Sequence, residues 1–339
     1  MQKYNYAGVI HIHSIHSDGT GSVKQIVKSA KRAGLDYIII TDHNNMDAQE
    51  GYIDGILVIK GEEISPGKQN HYIALGIKEP ILENEPEIFI NKVREQGGFG
   101  FIAHPDESDK RKNRHKPIKW LNDNITPDGV EIWNWFSQWA DNYNDSNIFT
   151  VAYAYLIRNA LVTKPYEKTL YRWDKLNRET ENIVPAIGGQ DAHALRYLRF
   201  FPLKIFPYNC MLKKITNFIH LNEPLSKDFN KAKKQVLTAV HAGNNIIVNR
   251  KICKYSPTIY ISNSKEFAFC GNTIKLDDNT FLNIDLPKKS DVKIIRNGEN
   301  YHELKTEKHK MKLVEGGKYR LEGTIKDKGY FYTNPINVI

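Results

Sequence analysis

The sequence predicts an α/β barrel followed by a small all-β module, on three observations. An apolar strand, an amphipathic helix and a second apolar strand succeed one another within the first 41 residues. Metal-compatible side chains then recur at the carboxyl ends of the predicted strands, the arrangement a parallel barrel uses to build a site on one face. From about Ile246 the texture changes to short alternating segments divided by turn signals. These observations divide the 339 residues into a barrel over 1–245 and a β-rich module over 246–339, sizes that suit one large and one small core.

Gly8 to His13 alternates as a short strand, and Ser22 to Gly34 places Val23, Ile26, Val27 and Ala30 at helical spacing. Ser22 is the expected N-cap and Gly34 the terminator, after which Asp36 to Thr41 is a buried strand. Further strands are predicted at Gly55 to Lys60, His71 to Gly76, Phe99 to Ala103, Gly129 to Trp133 and Val184 to Gly188. Helices are predicted near Glu85 to Gln96, Phe149 to Leu161 and Lys231 to Ala242. Beyond them, Thr258 to Ile261, Phe281 to Leu286, Val292 to Arg296, Tyr319 to Thr324 and Tyr330 to Thr333 alternate as strands. Turns at Asn297-Gly298 and Gly316-Gly317 separate some of these, the pattern of a sandwich.

With 40% hydrophobic and 26% charged residues, the chain is neither disordered nor fibrous. Its longest apolar runs, such as Tyr37 to Ile40 and Ile56 to Ile59, fall far short of the roughly 20 residues of a membrane-spanning helix. The polar start, Met1 to Tyr6, shows no signal-peptide pattern, so a cytoplasmic protein without a membrane partner is expected. Cys210, Cys253 and Cys270 are widely spaced, which argues against disulfides and thiolate zinc sites and leaves His and carboxylate as metal donors. The net charge of +9 suits an anionic substrate or nucleic acid. Its only dense basic cluster, Lys110, Arg111, Lys112, Arg114, Lys116 and Lys119, has no interleaved aromatics until Trp120. That favours a solvated loop over a nucleic-acid groove.

The polar residues at strand ends are the informative feature. His11 and His13 end the first strand, and their spacing puts both imidazoles on one side. Asp42 and His43 follow the second strand, Glu62 and Glu63 the third, His104 the fifth, Glu131 the sixth, and Asp191 and His193 the seventh. A single strand-end histidine is more often a hydrogen-bonded structural residue than a ligand. Six of the 12 histidines, His11, His13, His43, His71, His104 and His193, change that balance, because burying so many titratable groups without an ion is costly.

The run His11-Ile12-His13-Ser14-Ile15-His16-Ser17-Asp18-Gly19 resembles the polymerase and histidinol phosphatase (PHP) superfamily. So do Thr41-Asp42-His43-Asn44, Gly61-Glu62-Glu63-Ile64-Ser65, His71, Ala103-His104-Pro105 and Asp191-Ala192-His193, which follow in the family's order. The resemblance implies a distorted (β/α)7 barrel and two or three divalent ions. One would be held by His11, His13, Glu63 and Asp191, with Glu63 bridging to a second on His71 and His104. A third would use Asp18, His43 and His193. Glu63 is chosen over Glu62 because the family places its bridging carboxylate before an Ile-Ser pair. At the position of Asp18 the histidine-rich members carry His, which leaves the metal of the third site open. Asp42 is expected to orient a histidine, and Glu131 has either a site role or a structural one. The ending Gly317-Lys318-Tyr319-Arg320 and Asn334-Pro335-Ile336 is similar to the β-domain of the carbaryl-hydrolase-like (CehA/McbA) group.

No GxSxG or Walker-type loop competes with a metal mechanism. The expected activity is therefore a metal-dependent phosphoric ester hydrolase, acting on mono- or diesters through a metal-bridging hydroxide. Zinc, manganese and iron all suit the donor set. His43 is a candidate leaving-group acid as well as a ligand, and Arg196 and Arg199 are candidate phosphate clamps. A small anionic phosphorylated substrate is the expected partner, with a PHP-type nuclease or a carboxylic ester or carbamate hydrolase as alternatives. The sequence leaves the oligomeric state open.

Overall fold

The computed structural model describes residues 4–109, 116–143, 148–194 and 206–339. Chain order begins with β1 (Tyr4–Ile12), α1 (Val23–Ala33), β2 (Tyr37–His43), β3 (Gly51–Ile53), β4 (Ile56–Ile64) and β5 (Tyr72–Leu75). It continues with α2 (Pro86–Glu95), β6 (Phe99–Ile102), β7 (Gly129–Asn134), α3 (Trp135–Asn142), α4 (Ile148–Leu156), α5 (Arg158–Leu161), α6 (Glu167–Glu179) and β8 (Ala186–Ala192). Strands β1, β2, β4, β5, β6, β7 and β8 pair in that order, and β8 returns to β1, closing a seven-stranded barrel. Each pair is parallel except those made by β5, which runs antiparallel to both neighbours. The fold is thus the expected α/β barrel of distorted seven-stranded form, followed by the β module described below.

The β5 reversal decides how one ligand reaches the site. Sequence reasoning looks for functional residues after strands, whereas His71 precedes β5. Because β5 runs backwards, its start lies beside the end of β4, with Ile64 opposite Tyr72. His71 therefore arrives on the same face as Glu63.

Helix α1 shows why its segment is helical. It buries Val23, Ile26, Val27, Ala30 and Ala33 on one face, and the Ser22 N–H donates to Gln25 Oε1 at 3.1 Å. Gly34 ends it at φ +64°, a left-handed conformation that costs glycine nothing. The barrel interior holds Ile10, Tyr37, Ile39, Leu57, Ile59, Ile73, Phe101 and Ile187 in one cluster. The outer faces and helices form a second, larger one.

After α7 (Tyr208–Met211), β9 (Ile215–Leu221), α8 (Phe229–His241) and β10 (Asn245–Asn249) follow. β9 runs antiparallel to β1 and β10, and β10 also pairs with β17 (Lys328–Thr333) of the C-terminal module. Ile247 packs into the barrel's outer cluster, and Ile246 and Val248 into the module's core, so one strand serves both. The module contains β11 (Thr258–Ser262), β12 (Phe267–Ala268), β13 (Thr273–Ile274), β14 (Phe281–Arg296), β15 (Glu299–Lys312), β16 (Gly317–Ile325), β17 and β18 (Ile336–Val338). Two predicted strands, Phe281 to Leu286 and Val292 to Arg296, are one strand, β14, whose register with β15 shifts between Asp285 and Ser290. Its first part pairs with β11 and its last with β16, so β14 passes from one half of the sandwich to the other.

The predicted helix Phe149 to Leu161 is two helices, α4 and α5. Strand β9 and helix α6 carry too mixed a polar pattern to stand out in the sequence. β15 is hidden for a clearer reason: charged residues occupy both its faces, since it pairs only with β14. Among the described residues no helix is long and apolar enough to cross a membrane.

Candidate metal centre

All nine predicted ligands lie among the described residues and meet at one end of the barrel. His11 Nε2 and His13 Nε2 each lie 3.1 Å from the same oxygen, Glu63 Oε2. They also lie 3.6 Å and 3.4 Å from Asp191 Oδ1. The other Glu63 oxygen, Oε1, is 2.8 Å from His71 Nδ1 and 3.1 Å from His104 Nε2. Glu63 therefore faces two groups of imidazoles, one with each oxygen. At the mouth, Asp18 Oδ1 lies 3.0 Å from His193 Nε2, 3.7 Å from His43 Nε2 and 3.8 Å from His13 Nδ1. His13 stacks on His193 with ring centroids 4.1 Å apart.

Four groups of these donor atoms are each compact enough to hold an ion. They are His13, Asp18, His43 and His193; His11, His13 and Glu63; His11, His104 and Asp191; and His43, Glu63 and His71. Apart from Asp18, which is 56% exposed, and partly buried His43, these side chains are buried. His104 Nδ1 is buried with no hydrogen-bond partner, and His13 Nε2, though 3.1 Å from Glu63 Oε2, makes no aligned hydrogen bond. A set of imidazole and carboxylate donors converging on shared points, with an orphaned nitrogen among them, fits divalent transition metals.

The electrostatics of the metal-free cluster say the same. Burial opposes charging the His11 ring, yet Glu131, Glu63 and Asp191 overcome it and hold its pKa well above the ordinary value. His13 is raised to about 9 against burial by Asp191 and Glu63. His104 also reaches about 9, chiefly through Glu63. Burial likewise opposes the charge on Glu63 and Asp191, but the facing imidazoles keep both well below the usual carboxylate range. Without ions, protons on histidines balance the carboxylates. His43 is the exception, lowered to about 4 by burial, with His13 and His193 adding to the effect.

Backbone geometry at the site is unusual. His11, His104 and Asp191 have φ of +68°, +29° and +51°. Each left-handed residue other than glycine costs about 1–2 kcal/mol, and three candidate ligands carry it. The pairing of β1 with β8 is irregular between Ile10 and Ile12, and that of β7 with β8 between Glu131 and Trp133.

Residues other than the predicted ligands support them, and two of these, Ser65 and Tyr208, were given no role from the sequence. Ser65 Oγ lies 2.6 Å from His43 Nδ1, leaving Nε2 to face Asp18. The Tyr208 hydroxyl reaches the carbonyl oxygens of His13, at 2.7 Å, and His193, at 3.1 Å, tying the ends of β1 and β8. Glu131 is buried between His11 and His104; a carboxylate in the otherwise apolar segment Gly129–Asn134 was its visible signal. Asp42 departs from expectation. It accepts from the Ser14 N–H and Oγ, both at 2.6 Å, and from Ser17 Oγ at 2.7 Å. It secures the loop that carries Asp18 and orients no imidazole directly, because β2 turns it toward that loop.

Glu62 points away from the centre, accepting the Ile81 N–H at 2.9 Å, as alternation beside Glu63 requires. Arg196 and Arg199 lie outside the described residues, as do Lys110, Arg111, Lys112 and Arg114 of the basic cluster. Lys119 is ion-paired with Asp109.

The sequence profile of the PHP domain matches residues 10–119. An uncharacterized protein of Methanocaldococcus jannaschii is 31% identical over 149 residues, which span 37% of this chain and 80% of that one. A solved structure from Bacteroides vulgatus, described as a two-domain protein containing a predicted PHP-like metal-dependent phosphoesterase, is 16% identical with a TM-score of 0.46. The alignment covers 98% of this chain and 95% of that one. The profile match covers the end of the first strand, the Asp18 loop, the Glu63 strand, His71 and His104, and with it and the relative that is 31% identical this chain belongs to the PHP-domain family.

Proposed function

We propose that the chain is a metal-dependent hydrolase of phosphate esters, its ions held in two or three neighbouring positions. The observation that carries this reading is Glu63, whose two oxygens each face a separate pair of imidazole nitrogens at 2.8–3.1 Å. His11, His13, Glu63 and Asp191 would hold one ion, Glu63, His71 and His104 a second, and Asp18, His43 and His193 a third. Zinc, manganese or iron in such a site supplies Lewis-acid contact to a phosphoryl oxygen and a hydroxide nucleophile at neutral pH.

The chain's own residues perform the remaining tasks. Burial of the ring nitrogens excludes water from the inner positions and fixes the donors before substrate arrives. His43, with its pKa lowered to about 4, is neutral at physiological pH. That suits a ligand, and because only the imidazolium is an effective acid near neutral pH, solvent is the better donor of the leaving-group proton and His43 the alternative. Half-exposed Asp18 marks the open side, where a substrate enters. Phe136 stands beside His193, with ring centroids 5.8 Å apart, and offers an apolar wall for the organic part of the ester. Arg196 and Arg199, three and six residues after His193 in the sequence, are proposed phosphate clamps for a small anionic substrate.

The test is nitrophenol release from nitrophenyl phosphate mono- and diesters, with nitrophenyl acetate as the neutral control. Turnover should vanish on chelation and return with zinc, manganese or iron. Full activity in metal-stripped protein would overturn the metal reading. A preference for the acetate would move the assignment to an ester or carbamate hydrolase.

A further inference from the structure

Glu131 makes contacts that a structural carboxylate would not need. It is buried in β7, and its Oε1 lies 2.8 Å from His11 Nδ1 on β1. Its Oε2 accepts the backbone N–H of His104, which follows β6, at 2.7 Å, and Asn134 Nδ2 at 3.0 Å. One carboxylate thus holds two candidate ligands, and both of those residues have positive φ. The fourth strand involved makes room for it: a Cβ built on Gly189 of β8 would overlap Glu131 Oε1 and stand 3.2 Å from His11 Cβ.

We propose that Glu131 is the positioning residue of the metal centre, fixing the His11 ring and the His104 backbone together, and that Gly189 is glycine to admit its carboxylate. The inference rests on the metal-centre reading above. Its chemistry follows from the imidazole. For His11 Nε2 to offer a lone pair to an ion shared with Glu63 and Asp191, the proton of the neutral ring must sit on Nδ1 and be accepted there. Glu131 Oε1 is that acceptor, and a carboxylate partner also makes the opposite nitrogen a better donor. At His104 the same group satisfies a buried N–H in a backbone conformation that side-chain-bearing residues seldom adopt.

Glutamine cannot repeat this. Its single oxygen can accept from His11 or from the His104 N–H with Asn134, but its amide then presents hydrogens to the other donor. If the amide faces His11, the ring proton moves to Nε2 and the ligand nitrogen is lost. Gly189→Ala should do the same from the opposite side by displacing the carboxylate, without changing any ligand.

The experiment measures Zn2+ affinity by competition with a chromogenic chelator in metal-free wild type, Glu131→Gln, Gly189→Ala, Glu131→Ala and the double variant Glu131→Ala/Gly189→Ala. Circular dichroism and thermal melts of each metal-free protein accompany it. Glu131→Gln and Gly189→Ala should each weaken the tightest zinc binding about 10–100-fold. Gly189→Ala should cost much less in the Glu131→Ala background, where the overlap with Oε1 is gone and only the 3.2 Å approach to His11 Cβ remains. If wild type binds no zinc, the metal centre itself fails. If wild type binds zinc and Glu131→Gln binds it as tightly, the centre stands and the positioning role is overturned. Unfolding of the metal-free, near-isosteric Glu131→Gln protein would also overturn it, because the role would then be general support of the barrel. Additive losses in the double variant would remove the link to Gly189.

Discussion

Two buried clusters of charge can be compared in this molecule, one at the barrel mouth and one where α6 meets the β module. At the second, Arg320 of β16 donates through Nε and Nη2 to the two oxygens of Asp174, both at 2.6 Å, and through Nη1 to Glu322 at 2.7 Å. Its guanidinium lies over the Trp173 ring, 4.9 Å from the centroid. Nearby, Lys318 Nζ donates to the carbonyl oxygens of Asn177, Thr180 and Asn182, covering the C-terminal end of α6. Every strong donor finds its own acceptor, with paired geometry. At the mouth, by contrast, several nitrogens share one oxygen and His104 Nδ1 has none. A network that closes on itself is a joint between parts. One that gathers donors around shared points asks for an ion.

Removing the shared acceptor should break this contrast most strongly. Glu63→Ala takes away both oxygens at once and should lower turnover by about 10^3-fold or more, with metal content falling in elemental analysis. Asp18→Ala should cost less, since it removes only a half-exposed donor of the outer group. Wild-type rates with full metal in Glu63→Ala would mean that the bridging assignment is wrong. Effects of two ligand substitutions within one group should not add.

Asp174→Ala is the matched change at the closed network. It leaves the Arg320 guanidinium buried without its main partner, a loss of about 3–5 kcal/mol. Urea unfolding should show it, while metal content and kcat of the folded protein stay at wild-type values. A large fall in kcat with unchanged stability would show that the joint serves the site directly.

The two clusters also differed in how far the sequence disclosed them. His11-x-His13, Asp42-His43 and Asp191-x-His193 are local patterns, and strand alternation puts their side chains on a face without knowledge of the fold. His71 required the reversal of β5, which a pattern of strand ends does not encode. Glu131 was visible as a carboxylate in an apolar strand, but its partner His11 is 120 residues away. Arg320 and Asp174 are 146 residues apart and gave no signal at all, because either residue alone reads as a surface charge. The barrel strands were legible to within a few residues for the same reason as the ligands: apolar periodicity is local. β15, held by backbone pairing under a charged surface, was not.

A pH measurement sharpens the comparison. In the metal-free protein His13 and His104 have pKa values raised to about 9 from the ordinary 6.5. Their protonated forms therefore stabilise the fold fully below pH 6.5, and that contribution is lost as pH rises through 9. Metal-free protein should lose stability over this window by chemical denaturation, and metal loading should remove the dependence, since bound ions replace the protons. Zinc binding near neutral pH should release protons, measurable by calorimetry in buffers of different ionisation enthalpy. Identical pH dependence with and without metal would place the titrating groups elsewhere.

The smallest expected effect concerns Glu62, the buried carboxylate beside the bridging one. Burial raises its pKa to about 7, against the Ile81 N–H, which lowers it, and its Oε1 has no hydrogen-bond partner. A raised carboxyl pKa means that the folded state holds the proton more tightly than the unfolded chain, whose value is 4.5. Stability therefore falls as pH rises from about 4.5 through 7 and stays lower above that. Glu62→Gln keeps the oxygen that accepts the Ile81 N–H and carries no charge to bury. It should leave stability unchanged below pH 4.5 and raise it by about 1–3 kcal/mol above pH 7. Urea unfolding of metal-free protein at both pH values reads the difference. Because Glu62 points away from the cluster, zinc stoichiometry should not change. A loss of stability at high pH would mean that the ionised Glu62 is satisfied in the fold, and a loss of metal would mean that it, too, serves the open cluster.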